Sequence, residues 1–379
     1  MAAKDERLKM RLYEEESAPE AIMAKYGLDA RDILDFSVNV NPFAPPAIVF
    51  DEAAKALEDC GVYPDLHLRD LRQTLSVRHG LAPGFFMFGA GLDDVLKLIS
   101  QAWLGPSKTV LIHVPTFPRY ELEARIVNAK PIYVDSDPPW RIDIERIRDA
   151  VRANTVDVAY LCTPNNPTGA RIGIDDVEGL ATSFPETRFV VDEALADPTL
   201  PGAMPLVGKH KNVVVLRTFS KYLGLAGLRV GYAVGHPESL SSLTSVRPPF
   251  NVSGFSAKIA KAALESDDFL SSSRLAFKAE RDFMTTEIGK IPGLAVRGSC
   301  SNMMFISVSA TPISRLVRDL ARRGIIVVDA TSFRGLENTP SLRISLRTRP
   351  ENARLLEALR SPMSPAGAVF QRARSDERY

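Results

Sequence analysis

An α/β fold, with a large domain whose mostly parallel sheet is flanked by helices and a smaller α+β domain, is what the sequence predicts, on three observations. Apolar, β-branched runs at 110–114, 156–161, 189–192, 213–216 and 230–234 alternate with helix-like stretches, the pattern of a sheet covered by helices on both faces. From about Ser253 the pattern shifts to helices, with a long polar-faced stretch at 267–291. Shorter strands at 304–308, 325–328 and 342–346 then alternate with helical runs at 313–323 and 351–360. Finally, 379 residues with 45% apolar content suffice for a core divided between two such domains. The expected division is a large domain over 46–252 and a small discontinuous one from 1–45 and 253–379, with the Pro-containing, charged end after Ser361 as a mobile tail.

Composition narrows the function. Lys and Arg number 47 against 46 Asp and Glu, so the formal charge of +1 gives no footprint for nucleic acid. Cys60, Cys162 and Cys300 are far apart and odd in number, which suits reduced thiols and forms no zinc-type pair. The start of the chain has no apolar signal region and no run reaches membrane length, so a cytoplasmic protein with no metal and no membrane partner is expected.

In chain order, the first segment with chemistry in it is Phe88-Gly89-Ala90-Gly91-Leu92-Asp93-Asp94, which opens a helix bearing Val95, Leu96, Leu98, Ile99 and Trp103 on its apolar face. A glycine turn feeding a helix N-terminus offers the free N–H groups of Leu92 and Asp93 and the positive end of the dipole to a phosphate. It lacks the full dinucleotide fingerprint, which argues against a nicotinamide site. By itself, Asp93 would also fit a helix cap.

The strand at 156–161 then runs into Cys162-Thr163-Pro164-Asn165-Asn166-Pro167-Thr168-Gly169, a turn by composition, where the Asn166 amide can donate to a phenolic oxygen. The strand-like run to Val191 ends in Asp192-Glu193-Ala194. A carboxylate there can hold a proton on a pyridine nitrogen and so make the ring an electron sink; alone, it would be a cap or a loop ion pair. The run at 213–216 leads to Thr218-Phe219-Ser220-Lys221-Tyr222-Leu223-Gly224-Leu225-Ala226-Gly227-Leu228-Arg229. Lys221 stands just past the strand's carboxyl end, where open α/β sheets keep their ligands. Thr218 and Ser220 flank it with hydroxyls, and Arg229 can grip a phosphate at two points. A lysine amine is a nucleophile only when deprotonated, so Lys221 needs burial or a cationic neighbour before it can hold pyridoxal phosphate as a Schiff base. Any one of these segments has a plain reading, a surface lysine in a Ser/Gly loop among them; their order along one sheet edge selects the cofactor site.

The ordered set Asn166-Pro167-Thr168-Gly169, Asp192-Glu193-Ala194, Ser220-Lys221 and Arg229 resembles the fold-type I pyridoxal-phosphate enzymes of the class I/II aminotransferase family. The resemblance runs from Asp35-Phe36-Ser37-Val38-Asn39-Val40-Asn41-Pro42 to Leu342-Arg343-Ile344-Ser345. The Lys221 segment and Tyr63-Pro64-Asp65 are most similar to the branch of histidinol-phosphate aminotransferases and threonine-phosphate decarboxylases. It implies an aspartate-aminotransferase-like fold with pyridoxal 5'-phosphate as cofactor. It also implies that Phe117 stacks on the cofactor ring, that Arg343 grips the substrate α-carboxylate, and that Asn41 lines the substrate entrance. Tyr63 matches a tyrosine given to the cofactor phosphate of a neighbouring subunit, which implies a homodimer. On packing grounds alone, Phe117 and Tyr120 at i, i+3 read as core residues of a helix start.

Two departures stand out. Leu195 occupies a position where relatives often have a tyrosine, and Val328 one where many have an arginine for a substrate phosphate; Arg334 reads equally as its replacement or as a solvated loop residue. The expected function is a pyridoxal-phosphate-dependent aminotransferase for an amino acid or phosphorylated amine. A threonine-phosphate-type decarboxylase is the alternative that Leu195 favours. A non-enzymatic ligand sensor on the same fold is the remote one, opposed by the presence of both Lys221 and Asp192.

Overall fold

A computed structural model describes residues 18–300 and 302–360. The segment expected to form a mobile tail and the first residues of the arm lie outside them. In chain order the strands are β1 (Leu34–Asp35), β2 (Phe86–Gly89), β3 (Thr109–Val114), β4 (Lys130–Asp135), β5 (Val158–Cys162), β6 (Arg188–Asp192), β7 (Val213–Thr218), β8 (Gly231–Gly235), β9 (Leu294–Cys300), β10 (Met303–Val308), β11 (Ile325–Ile326), β12 (Val328–Asp329) and β13 (Ser341–Ser345).

Seven of these form one sheet in the order β2-β8-β7-β6-β5-β3-β4. Only β8 runs against the others, antiparallel to both neighbours. Five of the seven coincide with the apolar runs read from sequence. β2 escapes that reading because it is a four-residue, largely aromatic run, and β4 because it is an edge strand carrying Pro131, which edges tolerate.

Strand periodicity sorts this sheet into two cores. Val213, Val215, Phe189, Val191, Ala159 and Leu161 point into one apolar cluster. Val214, Leu216, Val190, Val158, Tyr160 and Cys162 point into the other, under the helices Leu92–Trp103 and Arg119–Ile126. Alternate side chains of a strand take opposite faces. Asp192, two residues after Val190, therefore projects on the same face as Tyr160 and Cys162, and it pairs directly with Cys162 across the sheet.

The C-terminal part builds a four-stranded antiparallel sheet, β12-β13-β10-β9. β1 pairs in parallel with β11, and Phe36 is fully buried in the same cluster as Met304, Ile306 and Ile344. The polar-faced stretch from 267 is a helix only over Asp267–Ile288, and β9 follows it after Gly293 turns the chain at φ 82°. That helix places Leu270 and Phe277 in a core of the large sheet and Met284 and Ile288 in the core of the small one. It ties the two layers together. Among the described residues, no helix is long and apolar enough to cross a membrane.

Candidate active site

The carboxyl ends of β5, β6 and β7 lie side by side, with Cys162 paired to Asp192 and Asp192 paired to Leu216. Lys221 follows β7 in a loop held by its own backbone and by the N-terminal arm. Its carbonyl accepts from Asn41 N at 3.0 Å and from Gly224 N at 3.1 Å. Gly224 has φ 68°, and a Cβ there would run into Ala44, so this turn requires glycine. Burial, with Arg343 and Arg229 nearby, lowers the Lys221 amine from 10.5 to about 8. Its unprotonated form, the one a nucleophilic amine needs, is therefore far more accessible near neutral pH than that of an ordinary lysine.

Asp192 is 3% exposed. Its Oδ2 accepts from the Tyr120 hydroxyl at 2.6 Å and its Oδ1 from Ala194 N at 2.9 Å. Burial pushes its pKa up, while these two donors pull it down. One residue on, Glu193 is buried against Arg217 of β7 at 2.6 Å, and its other oxygen accepts from Ala203 N at 2.6 Å. This internal ion pair fastens the ends of β6 and β7 to each other and to the loop that follows.

In the turn after β5, Asn165 is the brace: its amide donates to Pro115 O at 2.9 Å and Thr168 Oγ1 at 2.8 Å and accepts from Thr116 Oγ1 at 2.8 Å. The neighbouring Asn166 accepts from Arg343 Nη1 at 3.0 Å through its Oδ1, which leaves the Nδ2 end as donor. Arg343, reaching across from β13, also donates to Ser37 O. Phe117 is half-buried and meets Tyr120 edge-on at 5.7 Å.

The fourth segment arrives through the sheet. Gly231 of β8 pairs with Thr218 on one side and Gly89 on the other, and a Cβ on Gly231 would sit 2.7 Å from Leu92 N. A side chain on Gly91, at φ 82°, would run into the Arg229 guanidinium. The helix Leu92–Trp103 starts with no side-chain cap. Asp93 faces Arg229 at 3.7 Å and Arg119 at 3.0 Å, while Asp94 braces the loop by accepting from Ala90 N and Asn251. Uncapped amides, two glycines whose missing side chains keep the space open, and one guanidinium make a cradle that fits a phosphate. With the amine of Lys221 and the carboxylate of Asp192 on the same rim, the donor set fits pyridoxal phosphate.

Other residues behave differently from expectation. Asn41 donates to Tyr222 O at 2.8 Å and Ser273 Oγ at 3.0 Å and accepts from Phe43 N at 2.9 Å, so its amide is committed to holding the lysine loop. Arg334 is spent on Glu121, with Nε and Nη2 each at 2.9 Å from its oxygens, and lies over the Tyr133 ring at 4.3 Å. Its guanidinium is thus engaged by Glu121 while still half-exposed. Val328 sits directly opposite Arg343 in the small sheet, and Leu195 packs on Met303. Tyr63 is 83% exposed with its ring on Phe250 at 4.9 Å, outside this chain's own rim. Tyr120 has only a packing role in the sequence reading; its position three residues after Phe117, at a helix start, was the available signal.

Comparison with known proteins agrees with this geometry. A family model described as aminotransferase class I and II matches residues 31–359. The histidinol-phosphate aminotransferase of Methanothermobacter thermautotrophicus is 32% identical over 338 residues, covering 88% of this chain and 90% of that protein. Among solved structures, the histidinol-phosphate aminotransferase of Sinorhizobium meliloti in complex with pyridoxal-5'-phosphate superposes with a TM-score of 0.81 at 25% identity, over 93% of this chain and 96% of that one. The L-threonine-O-3-phosphate decarboxylase of Porphyromonas gingivalis shares the fold, with a TM-score of 0.77 at 22% identity over 86% of this chain and 98% of that one.

Proposed function

The chain belongs to the class I and II aminotransferase family and is a pyridoxal-phosphate-dependent enzyme, and from that premise we propose that Lys221 carries the cofactor and that the reaction is transamination of an amino acid or phosphorylated amine. The observation that carries this reading is the pairing of a buried amine lowered to about 8 with a buried, doubly hydrogen-bonded carboxylate on one sheet edge. When bound, the cofactor supplies an electron sink that stabilises negative charge on the substrate's Cα.

Each residue then has a task. Asp192 would hold the proton on the ring nitrogen. The Leu92 and Asp93 amides, the Gly91 turn, Thr218, Ser220 and Arg229 would hold the phosphate, and Phe117 would stack on the ring. Asn166, its Oδ1 fixed by Arg343, turns its Nδ2 to the cofactor's phenolic oxygen. Arg343 takes the substrate carboxylate and so fixes which Cα bond faces Lys221. Lys221 would hold the cofactor and, once its Nζ is free, would serve as the base that takes up the substrate's Cα proton. The chain divides, on this reading, into a large cofactor domain over 46–252 and a small discontinuous one from 1–45 and 253–379. Tyr63, exposed with its ring on Phe250, reaches the phosphate of a second copy in a homodimer.

The relatives' names make histidinol phosphate the first amine to try, and buried Leu195, which offers no hydroxyl, favours O-phosphothreonine decarboxylation as the second reading. A single-turnover absorbance scan with each, with product analysis, separates them. Loss of the aldehyde absorbance with formation of the pyridoxamine form supports transamination. Return of the aldehyde form with CO2 and a free amine overturns it in favour of decarboxylation.

A further inference from the structure

Two tyrosines lie face to face beneath the Asp192 rim, and only one of them is employed. Tyr120 and Tyr160 are both fully buried, with ring centroids 4.5 Å apart and planes within 7°. The Tyr120 hydroxyl donates to Asp192 Oδ2 at 2.6 Å, whereas the Tyr160 hydroxyl has no hydrogen-bond partner among the described residues.

We propose that Tyr120 is a positioning residue for the cofactor's ring nitrogen, acting through Asp192: its phenol fixes the carboxylate's rotamer and keeps it ionised. The ring of Tyr120 cannot swing away. Tyr160 closes one face, and Phe117 meets it edge-on at 81° from the same helix start. The residue expected to stack on the cofactor and the residue that orients its carboxylate are therefore three positions apart, and moving one moves the other. The strand parity that sends Asp192 to the Tyr160 face brings it under this helix.

Electrostatics at the site require such a donor. Asp192 is buried, which favours its neutral form, and a neutral carboxyl cannot hold a pyridinium proton. The groups that face it are Tyr120 from helix Arg119–Ile126, Tyr160 and Cys162 from β5, Asp93 from helix Leu92–Trp103, Glu193 beside it, and Lys221 from the loop after β7. Asp93 and Glu193 oppose its charge and Lys221 supports it. Tyr120 and the Ala194 amide are the two direct donors that hold the ionised form.

The test uses the full-length apoprotein and two probes, pyridoxal phosphate and its 1-deaza analogue, in which a ring C–H replaces the nitrogen. Tyr120→Phe keeps the ring packing and removes only the donor. It is expected to weaken pyridoxal phosphate roughly tenfold, the scale of a lost hydrogen bond to a charged group, and to leave the deaza analogue within about twofold. Tyr160→Phe, which deletes an unpartnered hydroxyl, leaves both affinities in place. Tyr120→His, a smaller ring that still donates, restores part of the difference; if Tyr120→Phe is insoluble, Tyr120→Leu, which also removes the donor, takes its place. Equal weakening of both probes in Tyr120→Phe, weakening of neither, or the same loss in Tyr160→Phe overturns the inference. It rests on the assignment of Lys221 and Asp192 above, and wild-type protein that binds neither probe would overturn that assignment instead.

Discussion

The cofactor rim and the substrate rim of this site are built in opposite ways. On the seven-stranded sheet, Asp192, Thr218 and Lys221 sit at or just past strand ends, and each has a near neighbour among its partners: Ala194 N on Asp192, Gly224 N on Lys221, Thr218 Oγ1 accepting from Ser220 N at 3.1 Å. On the substrate side, Arg343 is held by Asn166 and Ser37, each more than 170 residues away. Val328 and Leu195 are apolar, and Arg334 is tied to Glu121. A rim seated on adjacent strand ends takes its spacing from the sheet. One assembled from distant segments is where substrate choice can change without disturbing the chemistry.

That contrast can be broken most directly at Lys221. Lys221→Ala is expected to lower kcat roughly a thousandfold or more, with an unchanged circular dichroism spectrum; activity within tenfold of wild type would remove the lysine from the chemistry. Arg343→Lys tests the other rim. It loses a two-point grip, so KM for a carboxylate-bearing substrate is expected to rise about 10- to 100-fold while affinity for pyridoxal phosphate holds within twofold. A parallel loss of cofactor would show that the two rims are one.

A third outcome concerns stability of the cofactor-free protein. Below pH 8 the Lys221 amine is protonated in both folded and unfolded chains, and the folded chain bears the burial penalty. Between about 8 and 10.5 only the unfolded chain keeps the proton, so wild-type stability rises with pH across that window. Lys221→Met apoprotein should therefore exceed wild type at pH 7 by on the order of 2 kcal/mol, with the gap closing above pH 10. Denaturant titrations at the two pH values read this directly, and a pH-independent gap would count against the burial of the amine. The smallest effect is expected at Arg334, whose half-exposed pair with Glu121 contributes at most about 1 kcal/mol. Arg334→Gln should leave kcat/KM within about threefold for histidinol phosphate and O-phosphothreonine alike. A large loss confined to phosphorylated substrates would return this arginine to the substrate rim.

Local pattern made some of this legible. The strands β3, β5, β6, β7 and β8 announce themselves as apolar runs because both faces of their sheet are buried, and the residues that follow them fall at the ends where ligands bind. The seats of Lys221, Asp192, Asn166 and the Gly91 turn on one edge follow from that register. The long helix read over 267–291 stops at Ile288, because the sequence shows its polar face more clearly than its end, and β9 has no counterpart in the sequence reading.

The sequence by itself determined which residue types stand at the carboxyl ends of which strands, since strand identity and side-chain parity are set by neighbours one or two positions away. Tertiary structure alone decided their partners. Whether Tyr120 packs or donates depends on Asp192, 72 residues further on; whether Arg334 meets a substrate depends on Glu121, 213 residues back; and Asn41 becomes a support for the lysine loop only because the arm crosses it. A hydrogen bond is settled by distances of a few tenths of an ångström between chain-distant atoms, and no local periodicity encodes those.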